Sequence, residues 1–194
     1  MRTSAVLLLA MCFAGLLFPS LATAQEYPQM ELFGGFSYAR MGGMNLIGWD
    51  ASGAWNLGYT LGIAVDVGRL NSSETQELAG YIYDVDQNVT TFMAGPRFTS
   101  RDPGKLAPFI NLLLGVAHAS AQYEIRSEGS IVESGTESNN GFSMLLGGGI
   151  DYKTRGPFSF RVLQLDYTGF RTQGYWTKGL RLSFGIALRL GSRQ

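Results

Sequence analysis

The sequence predicts an all-β protein, an eight-stranded antiparallel up-and-down transmembrane β-barrel. The first observation is the segment Lys178–Leu190, in which every second residue from Leu180 onward is apolar. This apolar face covers about the 9–11 residues that a tilted strand needs to cross a bilayer. The second observation is that seven further segments alternate in a similar way, and the third is that their connections alternate between long and short. A strand in lipid requires a closed sheet, because unpaired backbone groups there are costly.

Residues 1–24 are predicted to be a cleaved secretory signal peptide, and residues 25–194 are predicted to be the barrel domain. The leader has one early cation, Arg2, an apolar run over 5–18 and the small-residue cleavage pattern ATA at 22–24. The apolar run is short and Pro19 interrupts it, which disfavours an uncleaved membrane anchor. Cleavage would remove Cys12, the only cysteine, so we expect no disulfide or thiol chemistry in the mature chain.

The composition excludes several classes of protein. Basic and acidic side chains balance, with 15 of each, and no basic run suggests nucleic acid as a partner. After the leader, no segment approaches the roughly 18 consecutive apolar residues of a spanning helix, so strands must do any spanning. The 26 glycines recur inside the strand candidates and the aromatic residues lie near strand ends, which is typical of small membrane barrels.

The first four strands are predicted at Met30–Ala39, Trp49–Leu57, Thr60–Leu70 and Asn88–Phe98. The segment between the first two, Arg40–Gly48, is glycine-rich and is interpreted as a loop, and Asn56–Tyr59 as a tight turn. The stretch Asn71–Gln87 carries four carboxylates and is predicted to be a long exposed loop. Pro96 cannot donate to a strand ladder, so we expect a bulge or an early strand end there.

The last four strands are predicted at Pro108–Gln122, Gly141–Tyr152, Phe158–Phe170 and Lys178–Leu190. Short turns are expected at Ser100–Lys105, which contains Asp-Pro-Gly, and at Lys153–Pro157. Tyr123–Asn140 is polar and is predicted to be a second long loop, and a shorter loop runs through Gly174. The outward apolar residues change phase inside the seventh strand, which indicates a bulge near Val162 or Leu163.

The lengths of the connections favour a barrel in the cell outer membrane. With both ends of the chain on the periplasmic side, every shorter connection falls there and every longer one falls outside, as in outer-membrane barrels. A soluble lipocalin-like binding barrel also has eight strands and is the alternative. Such a barrel would turn its apolar face inward and would need no such asymmetry.

Six segments together resemble the outer-membrane β-barrel domain family, which is related to the transmembrane domain of outer membrane protein A and to opacity-type porin-like proteins. They are ELFGGFSYAR, GWDASGAWNLGYTLGIAVDVG, TFMAGPRFTSR, PFINLLLGVAHAS, LLGGGIDYKTRGPFSFRVLQLDYTGFR and RLSFGIALRLG. The resemblance implies an integral outer-membrane protein of a Gram-negative bacterium, with membrane lipid, lipopolysaccharide and, during insertion, the barrel-assembly machinery as partners. We expect no counterpart of the peptidoglycan-binding domain of outer membrane protein A. The last strand also lacks the terminal aromatic residue common in signals read by the assembly machinery.

Polar residues at inward positions are the candidates for chemistry. The interior of an eight-stranded barrel is just wide enough for side chains to fill it, so we expect a buried network whose charges neutralise one another. An ion path or a catalytic cluster is the alternative. The inward positions include Glu31, Asp66, Arg97, Asp151, Gln164, Asp166, Arg181 and Arg189. Among them, Asp166 and Arg181 are predicted to be neighbours across the last hairpin.

The single histidine suggests one catalytic alternative. His118-Ala119-Ser120 is similar in outline to the His-x-Ser pair of lipid A deacylase barrels, in which a histidine base activates a serine nucleophile at the outer rim. The flanking residues do not match that pattern. We therefore predict no catalytic, cofactor-binding or metal site, and we keep a lipid A-modifying hydrolase that uses His118 and Ser120 as the alternative.

The predicted role is structural, either in envelope integrity or in surface interaction. The loops Asn71–Gln87 and Tyr123–Asn140 are the predicted contact surface for an extracellular ligand. A narrow pore is disfavoured because the barrel is small.

Overall fold

A computed structural model describes residues 26–78, 81–127, 130–172 and 174–192, and the predicted leader lies outside them. The strands are β1 Met30–Met41, β2 Met44–Asn56, β3 Leu61–Leu78, β4 Tyr81–Thr99, β5 Leu106–Ser127, β6 Ser130–Lys153, β7 Phe158–Thr172 and β8 Tyr175–Leu190. Each strand pairs antiparallel with its neighbour in sequence, and β1 pairs with β8 to close the barrel. The predicted fold is confirmed. Within the described ranges, no helix has the length and apolarity that crossing a membrane requires.

The two ends of the barrel differ. We call the end that holds Met30 and Leu190 the near end, and the opposite end the far end. Three short turns, at 57–60, 100–105 and 154–157, lie at the near end, where the sequence predicts them. In the first turn, the amides of Leu57 and Gly58 both donate to the carbonyl of Leu61, at 2.9 and 3.1 Å.

The two long loops predicted at Asn71–Gln87 and Tyr123–Asn140 are wrong, because at the far end these segments belong to paired strands. β3 and β4 stay paired as far as Leu78 and Tyr81, and β5 and β6 as far as Ser127 and Ser130. β4 and β5 also pair over this whole length. Strand pairing needs only backbone groups, so a polar segment without an apolar alternation continues the ladder past the point where its sequence stops resembling a membrane strand.

These extensions form one four-stranded sheet that stands beyond the other strands. We call it the protruding sheet, and it comprises residues 72–78, 81–87, 121–127 and 130–137. β2 pairs with β3 only as far as Asn71, and β7 pairs with β6 only from Phe142. The two outer strands of the protruding sheet therefore have edges with no neighbouring strand among the described residues.

The predicted loop Arg40–Gly48 is also wrong. β1 and β2 are joined by the two-residue turn Gly42-Gly43, whose φ angles are 59° and 90°. Positive φ at both central positions suits a tight hairpin turn that only glycine adopts without strain. Gly48, which suggested a loop, lies inside β2, where a Cβ atom would overlap the carbonyl oxygen of Arg69.

Of the two strand irregularities that the sequence predicts, the one in β7 is present and the one at Pro96 is not. No bulge occurs at Pro96, because the pairs Ala94–Leu114 and Arg97–Asn111 share one register and β4 continues to Thr99. Proline lacks the amide donor, so the β4–β5 ladder is only interrupted there. The bulge near Val162 and Leu163 is confirmed by register shifts against both β6 and β8.

The outer wall of the barrel is apolar. In β5, for example, Leu112, Leu114 and Val116 face outward with 43, 51 and 60% of their surface exposed, whereas Leu113 between them is buried. A soluble barrel has the opposite arrangement. The far part of the interior is closed by a buried apolar cluster, Ala39, Met41, Leu46 and Leu70. A second buried apolar cluster comprises Ala54, Ala64, Met93, Leu113 and Leu145. The interior between the near-end mouth and the far cluster also holds a polar network, which is the first candidate site.

Candidate functional site

The polar network begins at the near-end mouth around Glu31. Its carboxylate accepts hydrogen bonds from Arg101 Nη2 at 2.6 Å and from Asn56 Nδ2 at 2.9 Å. Arg97 Nη2 lies 3.5 Å from the same carboxylate and 3.2 Å from Asp151 Oδ2. Arg97 therefore bridges two carboxylates from different strands, and its own side chain is only 2% exposed.

The middle of the network is organised by Arg161. Its Nε donates to Asp151 Oδ1 at 2.8 Å and its Nη1 donates to Gln164 Oε1 at 2.7 Å. The guanidinium also lies over two aromatic rings, 3.9 Å from the centroid of Phe33 and 4.4 Å from that of Phe109. Stacking of this kind offsets the loss of water around a buried cation.

The network continues to Arg181 on β8. Gln164 Nε2 donates to Asp166 Oδ2 at 2.8 Å, and Arg181 Nε donates to the same oxygen at 3.0 Å. Arg181 also donates to both oxygens of Asp66, at 3.0 and 3.2 Å. Asp166 and Arg181 are directly opposite each other in the β7–β8 register, which confirms the predicted pair.

Two parts of the prediction for the interior need correction. Arg189 lies at the near-end mouth and forms no salt bridge with any carboxylate that the structure describes; its Nη2 donates to the carbonyls of Thr154 and Gly156 at 3.0 and 2.7 Å. The prediction that acidic residues neutralise Arg189 is therefore wrong. Asp50, Arg101 and Arg161 also belong to the network, although they are not among the inward positions predicted from the sequence. Arg161 follows the outward Phe160, so the alternation indicates that it points inward, but the bulge that comes next obscures that signal.

The network has the chemistry of a structural core. Its charged groups face one another across strands and bind in pairs or triads, and guanidinium groups occupy the centre of the barrel. Ser37 Oγ donates to Asp50 Oδ1 at 2.6 Å and lies 2.7 Å from Ser183 Oγ, which ties β1 to β2 and β8. Such an arrangement cross-links the barrel wall from inside.

His118 and Ser120 lie at the far end, on the outer side of β5. His118 Nδ1 is 2.7 Å from Asn140 Oδ1 of β6, the residue directly opposite it. Ser120 is half-buried, and in the described part of the chain no hydrogen bond joins it to His118. A hydrolase would need a hydrogen bond between the imidazole and its serine nucleophile, and the described residues show none between His118 and Ser120, so the geometry gives the hydrolase alternative no support.

A ring of cationic or imidazole side chains borders the apolar wall at the far end, and we call it the far rim. Five strands place such a residue at an outward position where their apolar series ends. These residues are Arg40, Arg69, His118, Arg171 and Lys178. Asparagines on intervening strands form hydrogen bonds with two of these residues. Asn88 Oδ1 accepts one from Arg69 Nη2 at 3.5 Å, and Asn140 Oδ1 lies 2.7 Å from His118 Nδ1. At the near edge of the wall the outward residues are aromatic, including Trp55, Phe98, Tyr152 and Phe158.

The protruding sheet is strongly acidic. It carries seven carboxylates, Glu74, Glu77, Asp84, Asp86, Glu124, Glu133 and Glu137, against one cation, Arg126. Arg126 Nη2 donates to Glu124 Oε2 at 2.6 Å, and Arg126 Nη1 lies 3.6 Å from Asp84 Oδ2. The hydrogen bond to Glu124 and the charges of both carboxylates raise the pKa of this exposed guanidinium, which stands well outside the apolar wall. Arg126 thus pairs with two of the seven carboxylates of the protruding sheet.

The described ranges contain no group of three or more His, Cys, Asp or Glu side chains arranged to hold a metal ion.

No family model matches the chain, and no curated protein matches it. Solved structures do share its architecture. Ail, the attachment invasion locus protein of Yersinia pestis, in complex with the heparin analogue sucrose octasulfate, is 16% identical, with 84% of this chain and 98% of Ail covered and a TM-score of 0.56. The outer membrane protein OprG from Pseudomonas aeruginosa is 12% identical, with 86% of this chain and 97% of OprG covered and a TM-score of 0.52. These likenesses show a common fold.

Proposed function

We propose that this chain, which has the fold of eight-stranded outer-membrane barrels, is an integral outer-membrane protein of a Gram-negative bacterium that acts at the cell surface. The observation that carries the proposal is the outward apolar wall, on which residues such as Phe92 and Val116 are 56 and 60% exposed. A continuous apolar surface of this size is not stable in water, whereas lipid covers it. The predicted signal peptide at 1–24 supports export, and insertion is assigned to the barrel-assembly machinery.

The far rim supports lipopolysaccharide as the lipid partner on the outer side. Arg40, Arg69, Arg171 and Lys178 face outward at the level where the apolar wall ends. Guanidinium and ammonium groups at that level can donate to the phosphates of lipid A while the wall contacts its acyl chains. These contacts would anchor the barrel at a fixed depth in the membrane.

The protruding sheet is the proposed interaction surface, and its charge selects the partner. Seven carboxylates against one arginine favour a cationic segment of a protein or peptide. The unpaired edge of β6 over 130–137 offers backbone donors and acceptors to which an extended segment can add as a further strand. The related fold of Ail was solved with a polyanion, the heparin analogue, and the acidic sheet of this chain does not suit such a ligand.

Membrane insertion is tested by cell fractionation followed by gel electrophoresis of samples with and without heating. The expected result is an outer-membrane protein whose band shifts on heating, because a closed barrel resists unfolding by detergent until it is heated. A protein that stays in the soluble fraction, with no shift, would contradict the proposal and would favour the lipocalin-like alternative.

The role of the sheet is tested with the full chain in liposomes, using a lysine-rich peptide and heparin as probes. Wild type is expected to bind the peptide and not heparin, with affinity that falls as salt rises. The variant Glu133→Gln/Glu137→Gln removes two carboxylates from the free edge and is expected to weaken peptide binding roughly tenfold. The matched control, Glu26→Gln/Asp102→Asn, removes two carboxylates at the near end and should bind as wild type does. Preference for heparin, or equal loss in both variants, would refute the assignment.

A further inference from the structure

A second charged surface lies at the near end, away from the protruding sheet. It is an open groove of about 520 Å³ at the near end of the barrel, between the β4–β5 turn and the β6–β7 turn. We call it the near-end groove. Its cationic and aromatic lining residues are Lys105, Tyr152, Lys153, Arg155 and Arg189.

Two of these cations hold the turns that frame the groove. Lys153 Nζ donates to the carbonyl of Asp102 at 2.8 Å in the β4–β5 turn. Arg189 Nη2 donates to the carbonyls of Thr154 and Gly156 in the β6–β7 turn. Because their partners are carbonyl groups and not carboxylates, the hydrogen bonds fix the geometry of the turns without neutralising either positive charge.

The other two cations are directed outward. Lys105 and Arg155 are exposed, and neither forms a salt bridge within the ranges that the structure describes. Lys105 Nζ lies 6.0 Å from the centroid of the Tyr152 ring. The nearest interior carboxylates, Glu31 and Asp151, are already bound by arginines inside the barrel. The groove therefore combines four cations and has no carboxylate in its own lining. The charge of Asp102, in the β4–β5 turn, acts on Lys153, so Lys105 and Arg155 are the cations left for a ligand.

An apolar surface adjoins the groove on the lipid side. Leu106 and Tyr152 are directly opposite each other in the β5–β6 register, and Tyr152 and Phe160 are opposite each other in the β6–β7 register. All three face outward, with 53, 37 and 50% of their surface exposed. Cations above a ladder of lipid-facing apolar side chains suit a ligand that carries both an anionic head and acyl chains.

We propose that the near-end groove binds an anionic glycerophospholipid from the leaflet that faces the near end. Lys105 and Arg155 contact the headgroup phosphate, and the acyl chains lie along Leu106, Tyr152 and Phe160. The inference rests on the proposed membrane insertion, but it concerns the leaflet opposite to the far rim and the protruding sheet. The barrel would thus recognise lipid at both faces of the membrane through different cations.

The test is native mass spectrometry of the full chain released from detergent micelles that contain phosphatidylglycerol or phosphatidylethanolamine. Wild type is expected to retain phosphatidylglycerol. The variant Lys105→Gln/Arg155→Gln is expected to bind it roughly 25-fold more weakly, about 5-fold for each cation removed. The control Arg40→Gln/Lys178→Gln removes the same charge at the far rim and should retain phosphatidylglycerol. Inorganic phosphate in large excess, which lacks acyl chains, should not displace the lipid.

Each outcome is decisive for the groove. Equal loss in both variants would show general electrostatic attraction and overturn the site, as would unchanged retention in the groove variant or equal retention of the zwitterionic lipid. Displacement by inorganic phosphate would overturn a lipid ligand. All variants are first checked for the heat-dependent shift of a folded barrel. If even wild type fails to insert into micelles or vesicles, membrane insertion itself is contradicted, whereas insertion without lipid selectivity contradicts only the groove.

Discussion

The barrel interior and the protruding sheet use the same side chains, aspartate, glutamate and arginine, under opposite conditions. In the interior, Arg181 is 4% exposed in its side chain and binds Asp66 and Asp166. In the sheet, the Arg126 side chain is 45% exposed and binds Glu124 and Asp84. Water can replace either partner of Arg126 but neither partner of Arg181. A similar triad is therefore structural in the interior and only adjusts the surface charge in the protruding sheet.

The largest effect is expected from the substitution Arg181→Met in the barrel interior. It leaves Asp66 and Asp166 buried close to each other without their cation, so we expect a loss of about 3–5 kcal/mol in the free energy of unfolding. Urea titration of the protein in liposomes, followed by tryptophan fluorescence, measures this loss. The control is Arg40→Met at the exposed far rim, which should change stability by less than about 0.5 kcal/mol. A loss below about 1 kcal/mol for Arg181→Met would mean that water reaches the network.

A second experiment compares the packing of the interior with that of the lipid-facing wall. A Cβ atom at Gly115, which points inward, would overlap the carbonyl oxygen of Phe92, whereas Gly34 has nothing within 4 Å of its Cβ position. Gly115→Ala is expected to cost about 1–3 kcal/mol. Gly34→Ala should be neutral within about 0.5 kcal/mol. The same urea titration measures both changes in the free energy of unfolding. Similar losses for the two variants would contradict a close-packed interior.

The smallest effect is expected from Arg126→Ala in the protruding sheet. Its guanidinium is solvated, and its carboxylate partners Glu124 and Asp84 keep 41 and 26% of their side-chain surface exposed, so the urea midpoint should not change measurably. Binding of the lysine-rich peptide should become tighter, because the only cation of the sheet is gone. Both measurements are repeated at low and high salt, and the gain in binding should disappear at high salt. A large shift of the midpoint would show that this surface triad carries stability.

The sequence predicts the barrel wall well because lipid imposes a period of two. Wherever an apolar residue faces lipid, its neighbours must face inward, and this alone places Asp166 opposite Arg181 once the hairpin is known. The same signal fails beyond the far rim. Residues Ser73 and Asp86, or Thr75 and Asp84, pair across β3 and β4 through polar side chains, and no solvent difference distinguishes their two faces. The sequence therefore predicts loops where a sheet exists.

The sequence predicts that charged side chains fill the interior, but it does not predict which of them pair with one another. The inward position of Glu31 follows from alternation, but its contact with Arg101 depends on how the β4–β5 turn folds over the mouth. Arg189 has inward phase and still binds a turn, because it lies where the wall ends. Local patterns indicate which way a side chain points, whereas its partner depends on the register of strands distant in sequence.

The pairing of β1 with β8 has a consequence for how the molecule folds. Seven of the eight strand pairings join neighbours in sequence and can form as local hairpins, but this one joins the two ends of the barrel domain, and Ser37 and Ser183, for example, are 146 positions apart. Ordering such a long intervening chain is entropically unfavourable until the hairpins exist. We therefore expect the β1–β8 seam to form last. Gly35 and Gly185, which meet there, add no side-chain packing. Backbone hydrogen bonds, the pair of Ser37 and Ser183, and the rings of Phe36 and Phe184, whose centroids are 5.5 Å apart, therefore close the barrel.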